Sequence, residues 1–306
     1  MNAKAAMNAK AAMMEAEAGA VRARLSAFIE LTKPRVVAMV LVTTLAGFYL
    51  GGRGGFDFIL AFNLIVGTAL AAGGTLALNQ YMERDTDALM HRTQHRPLPD
   101  GRLRPFEALV FACVASALGF GYLIAATNLL CAGVTAAITA IYLLAYTPLK
   151  RRSWLCDVIG AIPGALPPVA GWVAARGSIA AEPIVLFGIM FLWQLPHTFA
   201  VARLYREDYA RAGIHLLPAD RSWGNPSDPV VIGASIGLLV ISILPWTMGS
   251  AGAVYGAIAA LGGIAMLLFG VAMVREPKRA QAARRLLFAS LIYLPVVLLM
   301  MVIDKI

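Results

Sequence analysis

One segment of the sequence is dense in oxygen ligands: Asn79-Gln80-Tyr81-Met82-Glu83-Arg84-Asp85-Thr86-Asp87. Helical residues four apart drift by only about 40° around the axis, so on a helix Asn79, Glu83 and Asp87 share one face. Such a ladder suits Mg²⁺, which prefers oxygen and binds through one or two carboxylates while phosphate oxygens and water complete its octahedron. Asp85 falls near the opposite face and is expected to pair with Arg84 or a loop arginine. Next comes His91-Arg92-Thr93-Gln94-His95-Arg96-Pro97. Arg92 and Arg96 are again four apart, and guanidinium forks match the non-bridging oxygens of a diphosphate. Carboxylates alone suggest a metal; carboxylates with arginines suggest a metal-bridged phosphate. For any single acid, a solvated helix end would be the plainer reading, but this density favours a site.

Two further clusters carry candidate chemistry. In Tyr146-Thr147-Pro148-Leu149-Lys150-Arg151-Arg152, Arg152 reads as a membrane-surface anchor, whereas Lys150 and Arg151 are placed to reach a leaving diphosphate. The other cluster runs from Trp193-Gln194-Leu195-Pro196-His197-Thr198-Phe199 to Arg203, Tyr205, Arg206, Glu207, Asp208 and Tyr209. A Pro-His pair in an apolar span is costly, so His197 is expected to line a cavity, with substrate contact and a packing hydrogen bond as level alternatives. Asp208, about three helical turns further on, is expected near the same face as a carboxylate for a second metal ion. Glu207 is expected to pair with Arg203 or Arg211.

These segments hang on an apolar frame. Of 306 residues, 59% are hydrophobic and 14% charged, and the mean hydropathy is +0.73. That excludes a soluble enzyme, a disordered chain and a disulfide-stapled secreted domain. A hydrocarbon core takes about 20 apolar residues per helix, and the chain offers nine runs, at about 36–52, 58–80, 106–125, 128–147, 154–174, 182–203, 230–248, 251–273 and 286–303. Twenty-three of the 26 basic residues fall before the first run or in alternate loops, leaving only Arg53, Arg176 and Lys305 on the other side. The positive-inside rule then puts the N-terminus in the cytoplasm and the C-terminus outside. The net charge of +9 is thus topological, and a nucleic-acid partner is not expected. Residues 1–24 repeat MNAKAA, lack a signal-peptide core, and read as a flexible cytoplasmic tail; residues 25–306 read as one membrane domain. Cys113 and Cys131 fall inside runs, where a thiol behaves as a small hydrophobe.

Taken together, the chain from Leu31-Thr32-Lys33-Pro34-Arg35 to the ninth run resembles the UbiA superfamily of intramembrane prenyltransferases. The likeness rests on Asn79 to Asp87, Met90-His91-Arg92-Thr93, Arg96-Pro97-Leu98, Tyr146 to Arg152, Gly164-Ala165-Leu166-Pro167-Pro168 with Gly171-Trp172, and Trp193-Gln194-Leu195-Pro196-His197. Asp85, Met90 and the Trp-Gln-x-Pro-His run with Asp208-Tyr209 point to its haem-modifying branch. Glu83 stands where the family usually has Asp, Cys156-Asp157 where a neutral Asn-Ile-like pair is familiar, and His215 where proline is expected.

The resemblance implies an all-α bundle of nine transmembrane helices around a central cavity, in the bacterial cytoplasmic (inner) membrane. It implies transfer of a farnesyl group from farnesyl diphosphate to a vinyl group of haem B, with water added and diphosphate released. Mg²⁺ would sit on Asn79, Glu83, Asp87 and Asp208, with Lys150 assisting departure. Arg92, Arg96, Arg151, Tyr146, His197 and Tyr205 would contact substrate, and Phe191, Trp193, Phe199 and Trp172 are candidate shields for a cation. A haem-copper oxidase assembly or a haem A synthase is the partner such a product would meet. Another aromatic or tetrapyrrole acceptor, a phosphatidyl-type transferase and a transporter are the competing readings; against the last, the charges cluster at one face rather than the midplane.

Overall fold

The computed structural model describes residues 3–214, 227–276 and 280–306; His215 lies outside them. Among the described residues nine helices are long and apolar enough to cross a membrane, one overlapping each expected run. The chain begins with α1 (Ala3–Leu31), so the segment expected to be a flexible tail is drawn as helix. Its last turns are anchored, Ala27 and Leu31 packing with Ala77, Leu98, Leu103, Ala108 and Ala112.

Lys33 is the sole described non-glycine residue with positive φ, 52°. A left-handed residue ends one helix, and the fixed φ of Pro34 starts the next, α2 (Pro34–Gly51). Helix α3 (Phe58–Asp87) has 30 residues, about 45 Å at 1.5 Å per residue, against a hydrocarbon core of about 30 Å. It therefore outruns the expected 58–80 segment and carries Glu83 and Asp87 beyond the apolar layer as one continuous rod.

Helices α4 (Pro105–Ala126) and α5 (Leu129–Ala140) follow, and α5 runs through a π-helical stretch, Ile141–Tyr146, into the short α6 (Thr147–Leu149). The widening precedes Pro148, whose ring displaces the preceding turn; the Thr147 N–H reaches back to the Tyr142 carbonyl instead. The fifth span, expected as one run, is two helices, α7 (Cys156–Ala165) and α8 (Pro167–Arg176), because consecutive prolines Pro167 and Pro168 lack the N–H groups an unbroken helix needs. Helices α9 (Ala181–Leu204), α10 (Arg206–Arg211), α11 (Ser227–Thr247), α12 (Ala253–Arg275) and α13 (Ala280–Ile303) complete the bundle.

Small residues let these rods approach, since packing rather than water exclusion holds helices together in lipid. A Cβ on Gly171 would lie 1.8 Å from the Thr44 carbonyl oxygen, and one on Gly47 would lie 1.9 Å from that of Pro168, so α2 and α8 touch backbone to backbone. Lys33, the ladder and Lys150 all lie at one end of the bundle. Arg53, Arg176 and Lys305 line a shared depression at the other. Lys305 there donates to the Tyr49 and Gly52 carbonyls at the end of α2.

Candidate active site

The α3 ladder forms as its spacing predicts, and a different cation meets each rung. Lys33 Nζ donates to Asn79 Oδ1 at 2.8 Å, Lys150 Nζ to Glu83 Oε1 at 2.7 Å, and Arg96 Nη1 to Asp87 Oδ2 at 2.6 Å. Asn79 and Asp87 are buried, Glu83 half-buried. Two unpaired carboxylates on one face at this depth would repel each other and pay heavily for desolvation; the interleaved cations offset both. Each cation comes from a different element: the α1–α2 junction, the end of α6, and the loop after α3.

Burial pushes Lys33 down to about 7, with Arg96 and Lys150 adding to the effect against Glu83 and Asp87. Burial also draws Lys150 toward neutrality, but electrostatic interaction with Tyr146 and Glu83, together with the Glu83 hydrogen bond, outweighs it and holds the pKa well above the ordinary lysine value. Its Nζ stands 4.5 Å from the centre of the Tyr146 ring.

Beneath this polar cap lies an apolar cavity of about 260 Å³, walled by α2, α3, α5, the π-helical stretch, α7, α8 and α9. Tyr142 and Tyr146, with ring centroids 5.2 Å apart, separate the two compartments: both line the cavity, and the Tyr142 hydroxyl reaches Asn79 Oδ1 at 3.4 Å. Gly160 makes room for Tyr146, since a Cβ there would come within 2.6 Å of the ring. Asn79 Nδ2 also donates to Thr147 Oγ1 at 3.1 Å, which fixes the amide's orientation. A small cavity of about 220 Å³ beside the cap is lined by Glu83, Lys150 and Arg151, placing Arg151 at the same entrance.

Several expectations need correction. Asp208 does not join the ladder. Helix α9 ends at Leu204 and the chain turns at Tyr205 before α10, so a three-turn extrapolation from His197 fails. Asp208 instead accepts from the His91 backbone N–H at 3.3 Å and pairs with Arg211, the arginine expected for Glu207. Arg203, the other arginine expected for Glu207, bonds Asp228 and the Met273 carbonyl. Among the described residues no three His, Cys, Asp or Glu side chains converge as a metal site. Nor does His197 line the cavity: its Nδ1 lies 2.8 Å from Ser290 Oγ on α13, and its ring stacks on Trp193. Phe191, Trp193, Phe199 and Trp172 are likewise absent from the cavity wall.

Arg92 is exposed, bonding the Tyr209 hydroxyl at 3.0 Å with its guanidinium 5.3 Å from the Tyr205 and Tyr209 ring centres, so Arg92 and Tyr205 form a rim rather than the cap. Asp85 pairs with Arg84 at 3.7 Å, as its position on the helix suggests. Lys33, Tyr142, Thr147 and Asp157 complete the site without having stood out by spacing. The nearest signal was Lys33 before Pro34, at a helix junction.

An oxygen-donor ladder with cations poised beside it, set over an apolar cavity, defines an integral membrane protein built for an amphiphile with a polyanionic head and a hydrophobic tail. The chain belongs to the UbiA prenyltransferase family, whose model matches residues 40–292. It is 42% identical over 288 residues to the protoheme IX farnesyltransferase of Solibacter usitatus, covering 91% of this chain and 98% of that one. With the protein of the same name from Koribacter versatilis it is 38% identical over 290 residues, 91% and 93% of the two chains. Among solved structures, a digeranylgeranylglyceryl phosphate synthase superposes with a TM-score of 0.79 over 92% of this chain and 98% of its own, at 16% identity. A UbiA homolog from Archaeoglobus fulgidus bound to GPP and Mg²⁺ gives 0.62 over 90% and 99%, also at 16% identity. At such identity these two speak for the fold alone.

Proposed function

We propose that the protein transfers the farnesyl group of farnesyl diphosphate to a vinyl group of haem B, adding water and releasing diphosphate; its likeness to proteins named protoheme IX farnesyltransferase supports the reading. One observation carries the reading: Tyr142 and Asn79 join a cationic, carboxylate-bearing cap directly to an apolar cavity. The diphosphate occupies the cap and the isoprenoid the cavity. Lys33, Arg96 and Lys150, which neutralise the ladder in this structure, turn to the phosphate oxygens when substrate arrives.

Asn79, Glu83 and Asp87 offer the hard oxygen donors that Mg²⁺ takes, and a bound ion would supply charge neutralisation to the leaving group. The chain's own residues do the rest. Lys150 and Arg96 stabilise charge building on the diphosphate as the C1–O bond breaks. The tyrosine ring faces favour an allylic cation, and the apolar wall keeps bulk water from it. The vinyl π electrons then form the new C–C bond.

The charge bias supports a cytoplasmic cap, a cytoplasmic N-terminus and an outward C-terminus in a bacterial inner membrane. The decisive assay incubates purified protein in lipid with haem B, farnesyl diphosphate and Mg²⁺ and seeks hydroxyethylfarnesyl haem by mass. Chelation should abolish the product and added Mg²⁺ restore it. An adduct formed at undiminished rate in chelator would remove the metal from the reading, and no adduct under any condition would remove the reaction.

A further inference from the structure

Asp157, in the first turn of α7, is buried to 3% exposure, and neither carboxylate oxygen has a hydrogen-bond partner. It lines the cavity with Tyr142, Tyr146, Gly160 and Thr198. The rest of that wall is aliphatic, aromatic, proline, threonine and one glutamine, so Asp157 is its single carboxylate. Burying a carboxylate without partners is among the costlier things a fold can do, and a small polar molecule in the cavity is what would relieve it. Lys150, seven residues earlier in the chain, already bonds Glu83.

The reaction proposed above gives this chain's carboxylate, which stands where a neutral pair is familiar, a task. After the C–O bond of farnesyl diphosphate breaks, its electron pair leaves with diphosphate. The vinyl π pair bonds to farnesyl C1, and the positive charge passes to the carbon attached to the porphyrin. A water oxygen bonds that carbon, and one of its protons must go elsewhere. Few acceptors are available. Glu83 and Asp87 are ion-paired on the far side of the tyrosines, His197 is turned to Ser290, and threonine and glutamine side chains are not bases at neutral pH.

We infer that Asp157 holds this water in the cavity wall and takes its proton as the C–O bond forms, later passing it to the departing diphosphate. The inference rests on the proposed reaction and adds a catalytic residue to it. The carboxylate therefore governs how the cation is discharged rather than how it is generated. Without Asp157 to hold the water, the cation instead loses a proton from the adjoining carbon to the departing diphosphate and leaves an alkene one water lighter.

The test compares wild type with Asp157→Asn, nearly isosteric, and Asp157→Ser should the amide perturb folding. The readouts are diphosphate release and the two haem adducts, resolved by mass. General-base catalysis contributes about 10²–10⁴-fold, so the hydroxylated adduct should fall by about a hundredfold and the alkene adduct rise in its place, with diphosphate release within about threefold of wild type. Asp157→Glu should recover part of the hydroxylated product. Unchanged product ratio and rate in both Asn and Ser variants would overturn the role, as would parallel loss of both adducts and of diphosphate release.

An arm without haem separates this inference from the reaction it rests on. Farnesyl diphosphate alone is then discharged by the same water, giving farnesol, and Asp157→Asn should slow farnesol formation by a similar factor. Asp157-dependent farnesol with no haem adduct in wild type would overturn the acceptor assignment and leave Asp157 standing. Farnesol formed equally fast by both proteins would overturn Asp157.

Discussion

Lys150 Nζ lies 2.7 Å from Glu83 Oε1 and 4.5 Å from the centre of the Tyr146 ring, so one ammonium pairs with the carboxylate ladder and lies against a tyrosine that walls the apolar cavity. Charge and aromatic face meet at one atom, where an isoprenoid diphosphate would change from ionic head to hydrocarbon tail.

That pair should be energetically coupled. Only 15% of each side chain is exposed, and charge-assisted bonds contribute about 1.5–3 kcal/mol when well sheltered. Glu83→Gln and Lys150→Met should each destabilise the protein, and the double variant should lose less than the two combined, with a coupling of about 1–2 kcal/mol in a thermal or denaturant cycle. All three should turn over at least about a hundredfold more slowly. Strict additivity would mean that the contact contributes nothing to the fold.

Lys33 holds a left-handed conformation at φ 52°, which costs a side-chain-bearing residue roughly 1–2 kcal/mol. Lys33→Gly should therefore unfold at higher temperature than Lys33→Ala, by an amount worth about 1 kcal/mol. Both lack the ammonium beside Asn79 and should be equally slow. Activity in the alanine variant close to wild type would show that the strained lysine serves the helix junction only.

His197 and Ser290 join α9 to α13 by a 2.8 Å hydrogen bond. His197→Ala and Ser290→Ala should each cost about 1 kcal/mol of stability and leave the KM for farnesyl diphosphate unchanged. A large rise in that KM for His197→Ala alone would put the ring back among the substrate contacts.

Gly171 faces the Thr44 carbonyl so closely that a Cβ would sit 1.8 Å from it. Gly171→Ala must part α2 from α8, and overpacking of this kind costs typically 1–3 kcal/mol or more. Gly133 has open space around its Cβ position, so Gly133→Ala should be neutral or slightly stabilising. Equal stability of the two variants would mean that the α2–α8 contact is slack.

Particular residues show how far local pattern reached. Asn79, Glu83 and Asp87 were legible because they lie on one uninterrupted helix, where four-residue spacing converts directly to a shared face. Arg96 and Lys150 were legible as types, a fork and a point charge near acids, though not as partners of particular rungs. Asp208 was misplaced because helical periodicity was carried across Tyr205, where α9 ends, and the choice between the two expectations for His197 stayed open because an intramembrane histidine does not declare which neighbour it faces. Asp157 stood out only as a departure from a familiar pattern; its lack of any partner is a property of α7 packed against the cavity.

The sequence by itself determined the solvent, the number of spans, the end at which charge gathers and the oxygen ladder, because apolar run length, loop charge and helical phase are all local quantities. Only the tertiary structure decided which cation meets each rung, where the two tyrosines divide cap from cavity, and that Asp157 is left without a partner. Those depend on side chains 9 to 67 residues apart in the chain, brought together by a loop and by close helix packing that short-range periodicity does not encode.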